Sequence, residues 1–348
     1  MDKISMIKEM QKSSDSKKLR GLFVLEKSFF EETYSSEDVD IIKSLVDIYA
    51  PLQTRDIIAD NPDILREADV IFSGWGILSD KDMPIEYLDN LKVLFYGAGS
   101  VKHFVNEKYW EKGVRVSSAA QANAVPVAEY TLAQILMAAK RCWYYAAKVK
   151  YNRTFAPSIC EVPGAFNSTV GLVSLGATAR MLYRYLTAFD FNLIAYDPYI
   201  SSEDLRNIDV KMTDLNDIFE KSDIVSLHSP LTNETAGLIT GDHFMRMKYG
   251  ATLINTARGG LIREDEMVDV LKRRPDMTVV LDVTVPEPPT RESLLYDLPN
   301  VIITPHIAGA MAGERRRLGR FVVDELRRYL SGRPLKGEIK HELLSIQA

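Results

Sequence analysis

Two cysteines, Cys142 and Cys160, are all that the 348 residues contain. So few thiols exclude a disulfide scaffold, and their spacing fits no metal-ligand pattern; no metal is expected, and both read as structural thiols in a reducing cytoplasm. Long apolar runs are also missing, since no stretch approaches about 18 uninterrupted apolar residues, so a membrane span is not expected. The opening MDKISMIKEMQKSSDSKK is polar and charged, and reads as a loosely held extension rather than a signal peptide or anchor. Nor is there an excess of one charge: 43 basic against 48 acidic residues leave a net −5, which gives no general attraction to nucleic acid or acidic lipid. Internal repeats and low-complexity segments are absent. What is present, 46% hydrophobic and 26% charged residues, is a globular composition over a length that suits two domains.

The stretch that organises the chain is TVGLVSLGATARMLYRYLTAFDFNLIAYD, residues Thr169 to Asp197. A β-branched apolar run meets a small-residue turn at Ser174, Leu175 and Gly176. A helical stripe follows (Met181, Leu182, Tyr185, Leu186, Phe189), then a second strand that ends in Asp197. This is the β–turn–α–β pattern that holds a dinucleotide: backbone N–H groups at Gly176, Ala177 and Thr178 face the pyrophosphate, and the acid takes the ribose hydroxyls. Asp197, followed by Pro198 with no Arg nearby, favours NAD over NADP, because a 2′-phosphate would meet like charge. One glycine of the expected G-x-G-x-x-G is missing. Ser174 stands in the tight turn, and must avoid positive φ or tolerate strain there.

Around this unit the chain alternates strand and helix. Before it, strands are expected at RGLFVLE, 69–73, 91–96 and 114–117, with an amphipathic helix over 36–49. Residues 121–126 read as a connector, Pro126 as the first turn of a helix running 127 to about 149, and 151–167 as an irregular crossover. After it, short helices alternate with strands ending in His228-Ser229-Pro230, Asn255, Val283 and Thr304. The fold class expected is α/β, with two doubly wound parallel-sheet domains and a cleft between them. The larger is a Rossmann-type NAD-binding domain over 125–308. The smaller, substrate-binding domain is built from both chain ends, 1–124 plus 309–348, because the helix over 313–330 follows a finished sheet. The bulky run Trp143, Tyr144, Tyr145 suggests a homodimer through the 127–150 helix region. Of the remaining histidines, His103, His243 and His341 read as solvated; the basic run Arg315, Arg316, Arg317 reads as a solvated face, from which one arginine could reach an anionic substrate.

Three strand ends in the second half carry one ionisable side chain each: Arg258, Glu287 and His306. Parallel strands place such ends in one crevice, so the three are expected to converge as the catalytic set. A guanidinium holds a carboxylate bidentately and polarises an adjacent carbonyl, a histidine moves a proton, and a carboxylate orients the imidazole. That combination suits oxidation of a 2-hydroxy acid or reduction of a 2-oxo acid, with a small anionic substrate as partner.

At these residues the sequence resembles the D-isomer-specific 2-hydroxyacid dehydrogenase family. The matching pieces are VGLVSLGATAR, AYDPY, DIVSLHSPLTNETAGLI, GATLINTARGGLI, LDVTVPEP and NVIITPHIAG, in the family's order, with weaker matches at VLFYGAGSVKHF and QANAVPVAEYTLA. The resemblance spans about residues 65–330 and implies roles. Arg258 would bind the substrate carboxylate and carbonyl, His306 would be the acid/base and Glu287 its partner. Asp282 would bond the nicotinamide amide. His228, Ser229, Pro230, Thr235, Thr256 and Gly309 would lie along the cofactor. Backbone N–H groups at Ala98, Gly99 and Ser100 would cradle the carboxylate. Trp75, between two glycines at a strand end, reads by its position either as lining the substrate side-chain pocket or as plain packing. Ser174 departs from the family pattern. A different class, an NAD(H)-sensing corepressor-like protein of the same fold without turnover, stays open, as does oxidation of another small anion.

Overall fold

The computed structural model describes residues 18–155, 162–201, 203, 205–206 and 208–344; Cys160 lies outside them. The described chain divides into two compact units. One is built from the residues before Ala120 together with Arg315–Leu344, the other from Ala120–Glu314.

The first unit is a parallel sheet of β1 (Arg20–Val24), β2 (Asp47–Ile48), β3 (Val70–Ser73), β4 (Val93–Tyr96) and β5 (Arg115–Ser118), in the order β2-β1-β3-β4-β5. Its strands read as near-continuous apolar runs because both faces are covered. Phe23, Phe72 and Phe95 share one face with Val322, Val323 and Leu326 of the helix Arg316–Leu330. Leu22, Ile71, Leu94 and Val116 share the other with Phe104 and Tyr109.

The helix expected over 36–49 is shorter, Ser36–Leu45. It starts at a capping box, with Asp38 N–H donating to Ser35 Oγ at 3.1 Å, and stops where Val46 extends and Asp47–Ile48 pair beside β1. A helix not foreseen, Lys27–Thr33, precedes it.

The second unit is a seven-stranded parallel sheet. It comprises β6 (Thr169–Val173), β7 (Asn192–Tyr196), β8 (Lys211–Met212), β9 (Ile224–Leu227), β10 (Thr252–Asn255), β11 (Thr278–Leu281) and β12 (Val301–Ile303), in the order β12-β11-β10-β9-β6-β7-β8. The expected connector and helix differ from what forms. Pro126 lies inside the helix Ala120–Ala139, which ends when Arg141 takes left-handed φ of 48°; a separate helix Cys142–Asn152 follows. The small residues Ala120, Ala122 and Ala124 extend the helix before the proline. The aromatic run is half-buried within its own unit: Trp143 Nε1 donates to Gln134 at 3.3 Å and the Arg141 guanidinium lies 4.2 Å from the Tyr144 ring. On the helix Ala177–Leu186, Tyr183 joins Leu182 and Leu186 in the core, whereas Phe189 lies beyond the helix end and is exposed. No described helix is long and apolar enough to cross a membrane.

Gly319 packs its backbone against the Lys27–Thr33 helix: a Cβ there would lie 2.1 Å from the Thr33 carbonyl oxygen. Gly319→Ala should therefore destabilise the first unit by about 1–3 kcal/mol, seen as an earlier first transition in urea unfolding.

Candidate active site

Because all seven strands of the second unit are parallel, Ser174, Asp197, His228, Thr256, Asp282 and Thr304 follow strand ends on one edge of the sheet. The order reverses between β6 and β9, the switch point beside which ligands bind in such sheets.

Ser174, at this switch point, has φ of 75°, so it takes the left-handed conformation that a glycine would adopt more cheaply. The strain is offset locally: its hydroxyl donates to Asp197 Oδ2 at 3.3 Å, and Leu175 N–H donates to the same oxygen at 2.8 Å. Tyr199 N–H takes Asp197 Oδ1 at 2.9 Å. Gly176 has ordinary extended φ, and a Cβ on it would meet nothing described within 4 Å. Packing within the chain therefore does not require glycine; an approach from outside does. The Ala177–Leu186 helix, with Ala177 and Thr178 in its first turn, takes no side-chain cap. An open glycine, an uncapped helix start and an acid at the next strand end fit a dinucleotide.

The loop after β9 is pinned from within. His228 N–H donates to the Val173 carbonyl at 2.9 Å, while its Nε2 is buried without a partner among the described residues. Burial pushes its pKa down to about 4, so the ring is neutral at neutral pH. Ser229 is buried; Thr235 Oγ1 donates to the Pro230 carbonyl at 2.6 Å, and Thr232 N–H donates to Thr235 Oγ1 at 2.8 Å. Thr256 is also turned inward, its Oγ1 lying 3.1 Å from Thr131 Oγ1.

The Arg258 turn is set by Asn255, a residue the sequence reading passed over. Its amide donates to the Arg258 carbonyl at 2.9 Å and its Oδ1 accepts from Ala257 N–H at 3.0 Å. Such closure is what Asn does at a strand end, the one signal that could have flagged it. Gly259 lets this turn lie on the next loop, since a Cβ would come within 2.2 Å of the Thr284 backbone. Arg258 is half-buried, with Nη1 donating to the Ala257 carbonyl at 2.6 Å; burial lowers its pKa, and the charge of Glu287 opposes that shift. Glu287 lies between two cis-proline peptides and pairs through Oε1 with His306 Nδ1. Arg258, Glu287 and His306 are thus brought to one edge.

Asp282, for which the resemblance implied a bond to the nicotinamide amide, is fully buried beneath the His306 turn. Its carboxylate accepts from Thr304 Oγ1 at 2.5 Å and from the N–H groups of Ile307 and Ala308, each at 2.9 Å; its carbonyl accepts from His306 N–H at 3.0 Å. This holds His306 at φ of 53°, outside ordinary side-chain conformations. Asn123 braces the far end, accepting from Ala310 N–H at 2.9 Å beside Gly309. The imidazole keeps 51% of its side chain exposed, so it can exchange protons with solvent.

In the first unit, the Ser118 hydroxyl lies 3.1 Å from the Ala98 carbonyl and 2.5 Å from that of Gly99. Planar trans peptides then turn the N–H groups of Gly99 and Ser100 the opposite way, as an anion cradle requires. Trp75 lies against Phe29, with ring centroids 5.7 Å apart, and the Arg315 guanidinium is 5.1 Å from the Trp75 ring. Arg315 also pairs with Glu32 and is only 14% exposed, so the basic run is not uniformly solvated; Arg316 and Arg317 are exposed. Of the histidines expected to be solvated, His103 is exposed, with Nε2 bonding the Ile77 carbonyl at 2.7 Å, whereas His243 is half-buried and closes a capping box with Thr240 against Phe219.

A family model described as "D-isomer specific 2-hydroxyacid dehydrogenase, NAD binding domain" matches residues 132–308. The D-3-phosphoglycerate dehydrogenase of Methanocaldococcus jannaschii is 31% identical over 269 residues, 77% of this chain and 51% of that protein. The chain thus spans about half the length of the curated relatives it matches first. The hydroxypyruvate reductase of Thermotoga maritima is 31% identical over 265 residues, 76% of this chain and 85% of that protein. Among solved structures, the apo D-mandelate dehydrogenase of Rhodotorula graminis superposes with a TM-score of 0.75 at 21% identity, covering 93% of this chain and 98% of that one, a likeness of fold.

Two outcomes follow from the geometry. Since the folded pKa of His228 lies below its unfolded value of about 6.5, its neutral form favours folding above that pH. Stability should fall by up to about 3 kcal/mol as pH drops from about 6.5 towards 4, and His228→Gln should show a smaller fall, measured by urea midpoints at both pH values. Asp282→Asn puts an amide against two backbone donors, so amide exchange at Ile307 and Ala308 should accelerate by about ten-fold or more, read by deuterium uptake of that segment.

Proposed function

This chain belongs to the D-isomer specific 2-hydroxyacid dehydrogenase family, and from that premise we propose that it interconverts a small 2-hydroxy acid and the corresponding 2-oxo acid with NAD. The observation that carries the reading is the His306–Glu287 pair on the same sheet edge as Arg258 and the Ser174–Gly176 turn. Bound NAD would accept or supply a hydride. The turn at Gly176, the start of the Ala177–Leu186 helix and Asp197 would hold it, and His228, Ser229, Pro230, Thr235 and Thr256 would support that side of the crevice.

The chain's own groups then have distinct tasks. Arg258 binds the substrate carboxylate and polarises the carbonyl oxygen, and partial burial strengthens that pull. In the oxidative direction His306 accepts the hydroxyl proton at Nε2; in the reductive direction it returns it. Glu287, at Nδ1, fixes the ring's orientation and supports the imidazolium. Asp282 and Asn255 act through backbone turns, as positioning residues. Gly99 and Ser100 N–H groups would take a carboxylate, and Trp75 would meet the substrate's remaining substituent. The phosphoglycerate and hydroxypyruvate named for relatives support a small 2-hydroxy or 2-oxo acid as the substrate. The reading includes a homodimer through the 127–150 region, next to which Tyr151 is exposed.

Wild-type protein with NADH and a panel of 2-oxo acids should consume absorbance at 340 nm. His306→Ala should lower kcat by about 10²–10⁴-fold while the NADH Kd stays nearly unchanged. Tight NADH binding without turnover across the panel would favour the sensing protein instead, and normal turnover by the variant would remove His306 from its role.

A further inference from the structure

Two side chains outside the acid/base set join across the dinucleotide crevice. In the sheet β6 lies between β9 and β7, so the strand ends on either side of the Ser174 turn are about 10 Å apart, twice the strand spacing. Tyr199 follows β7, Glu234 follows β9, and the Tyr199 hydroxyl donates to Glu234 Oε2. The link therefore crosses the end of β6, where the open Gly176 and the uncapped helix start lie. Both ends are braced. Tyr199 N–H is held by Asp197 Oδ1, and Glu234 sits inside a turn closed by Thr235 N–H donating to Thr232 Oγ1 at 3.2 Å. The two side chains are exposed, so their bond adds little to stability. Its effect is local: it ties the Glu234 carboxylate to the segment that carries Asp197.

The charge of Asp197 is already met by the donors of Leu175, Tyr199 and Ser174, whereas among the described residues Glu234 accepts from the Tyr199 phenol. We propose that Glu234, held by Tyr199, is a second acidic determinant of cofactor choice, acting with Asp197 to disfavour a ribose that carries a 2′-phosphate. This rests on the dinucleotide reading of the site and adds a residue to it. Repulsion between such partly solvated charges amounts to a factor of about three to ten in affinity, and salt screens it.

Calorimetric titration of NADH and NADPH into wild-type, Glu234→Gln, Tyr199→Phe and Asp197→Asn proteins tests this. Glu234→Gln should tighten NADPH binding about three- to ten-fold and change NADH binding by less than about two-fold, the gap narrowing near 1 M salt. Tyr199→Phe should act in the same direction and less strongly, because the carboxylate is then free to swing away. An unchanged NADH/NADPH ratio in Glu234→Gln overturns the proposal, even where Asp197→Asn shifts that ratio and so upholds the site. Equal weakening of both cofactors also overturns it, since Glu234 would then only brace its loop. Wild-type protein that binds neither dinucleotide removes the underlying reading instead.

Discussion

Parallel pairing of seven strands is the constraint on which the rest of the second unit depends. Every strand must run the same way, so every return crosses a face and every carboxyl end opens on one edge. Residues 174, 197, 228, 258, 287 and 306, spread over 133 positions, reach that edge for this reason. The reversal of order between β6 and β9 then leaves a crevice floored by the turn that follows β6.

The reactive groups themselves stand on turns, and turns need holding. Two buried polar side chains do that here. Asn255, completely buried, closes the Arg258 turn through both ends of its amide. Asp282, equally enclosed, gathers a hydroxyl and two N–H groups beneath His306. A buried carboxylate is costly unless its oxygens are satisfied, and these are. The arrangement lets His306 keep an unfavourable backbone conformation, with its ring exposed towards Glu287.

Ser174 shows how a missing glycine is accommodated. The turn still requires the left-handed conformation, at a cost of roughly 1–2 kcal/mol for a side chain. The serine hydroxyl, unlike a larger side chain, reaches Asp197, and that acid is tied to the turn by Leu175 N–H as well. The departure from the usual pattern thus couples the turn to the acid, and leaves the approach over Gly176 open.

The alternation of apolar strands with helices, the parallel class and the edge location of the ionisable residues were all legible in the chain, because they follow from periodicity and from where strands stop. Local endings were less legible: Leu45 ends a helix where Val46 extends and Asp47–Ile48 pair beside β1, and Pro126 is taken into a helix that small residues extend. Side-chain direction was not legible. Nothing in the sequence tells that Asp282 turns under His306, that Thr256 meets Thr131, or that Arg315 stacks on Trp75 beside Glu32. Sequence determined which residues reach the edge, since that needs only strand direction; the tertiary structure decided which of them face outward and which hold the others, since that depends on partners distant in the chain.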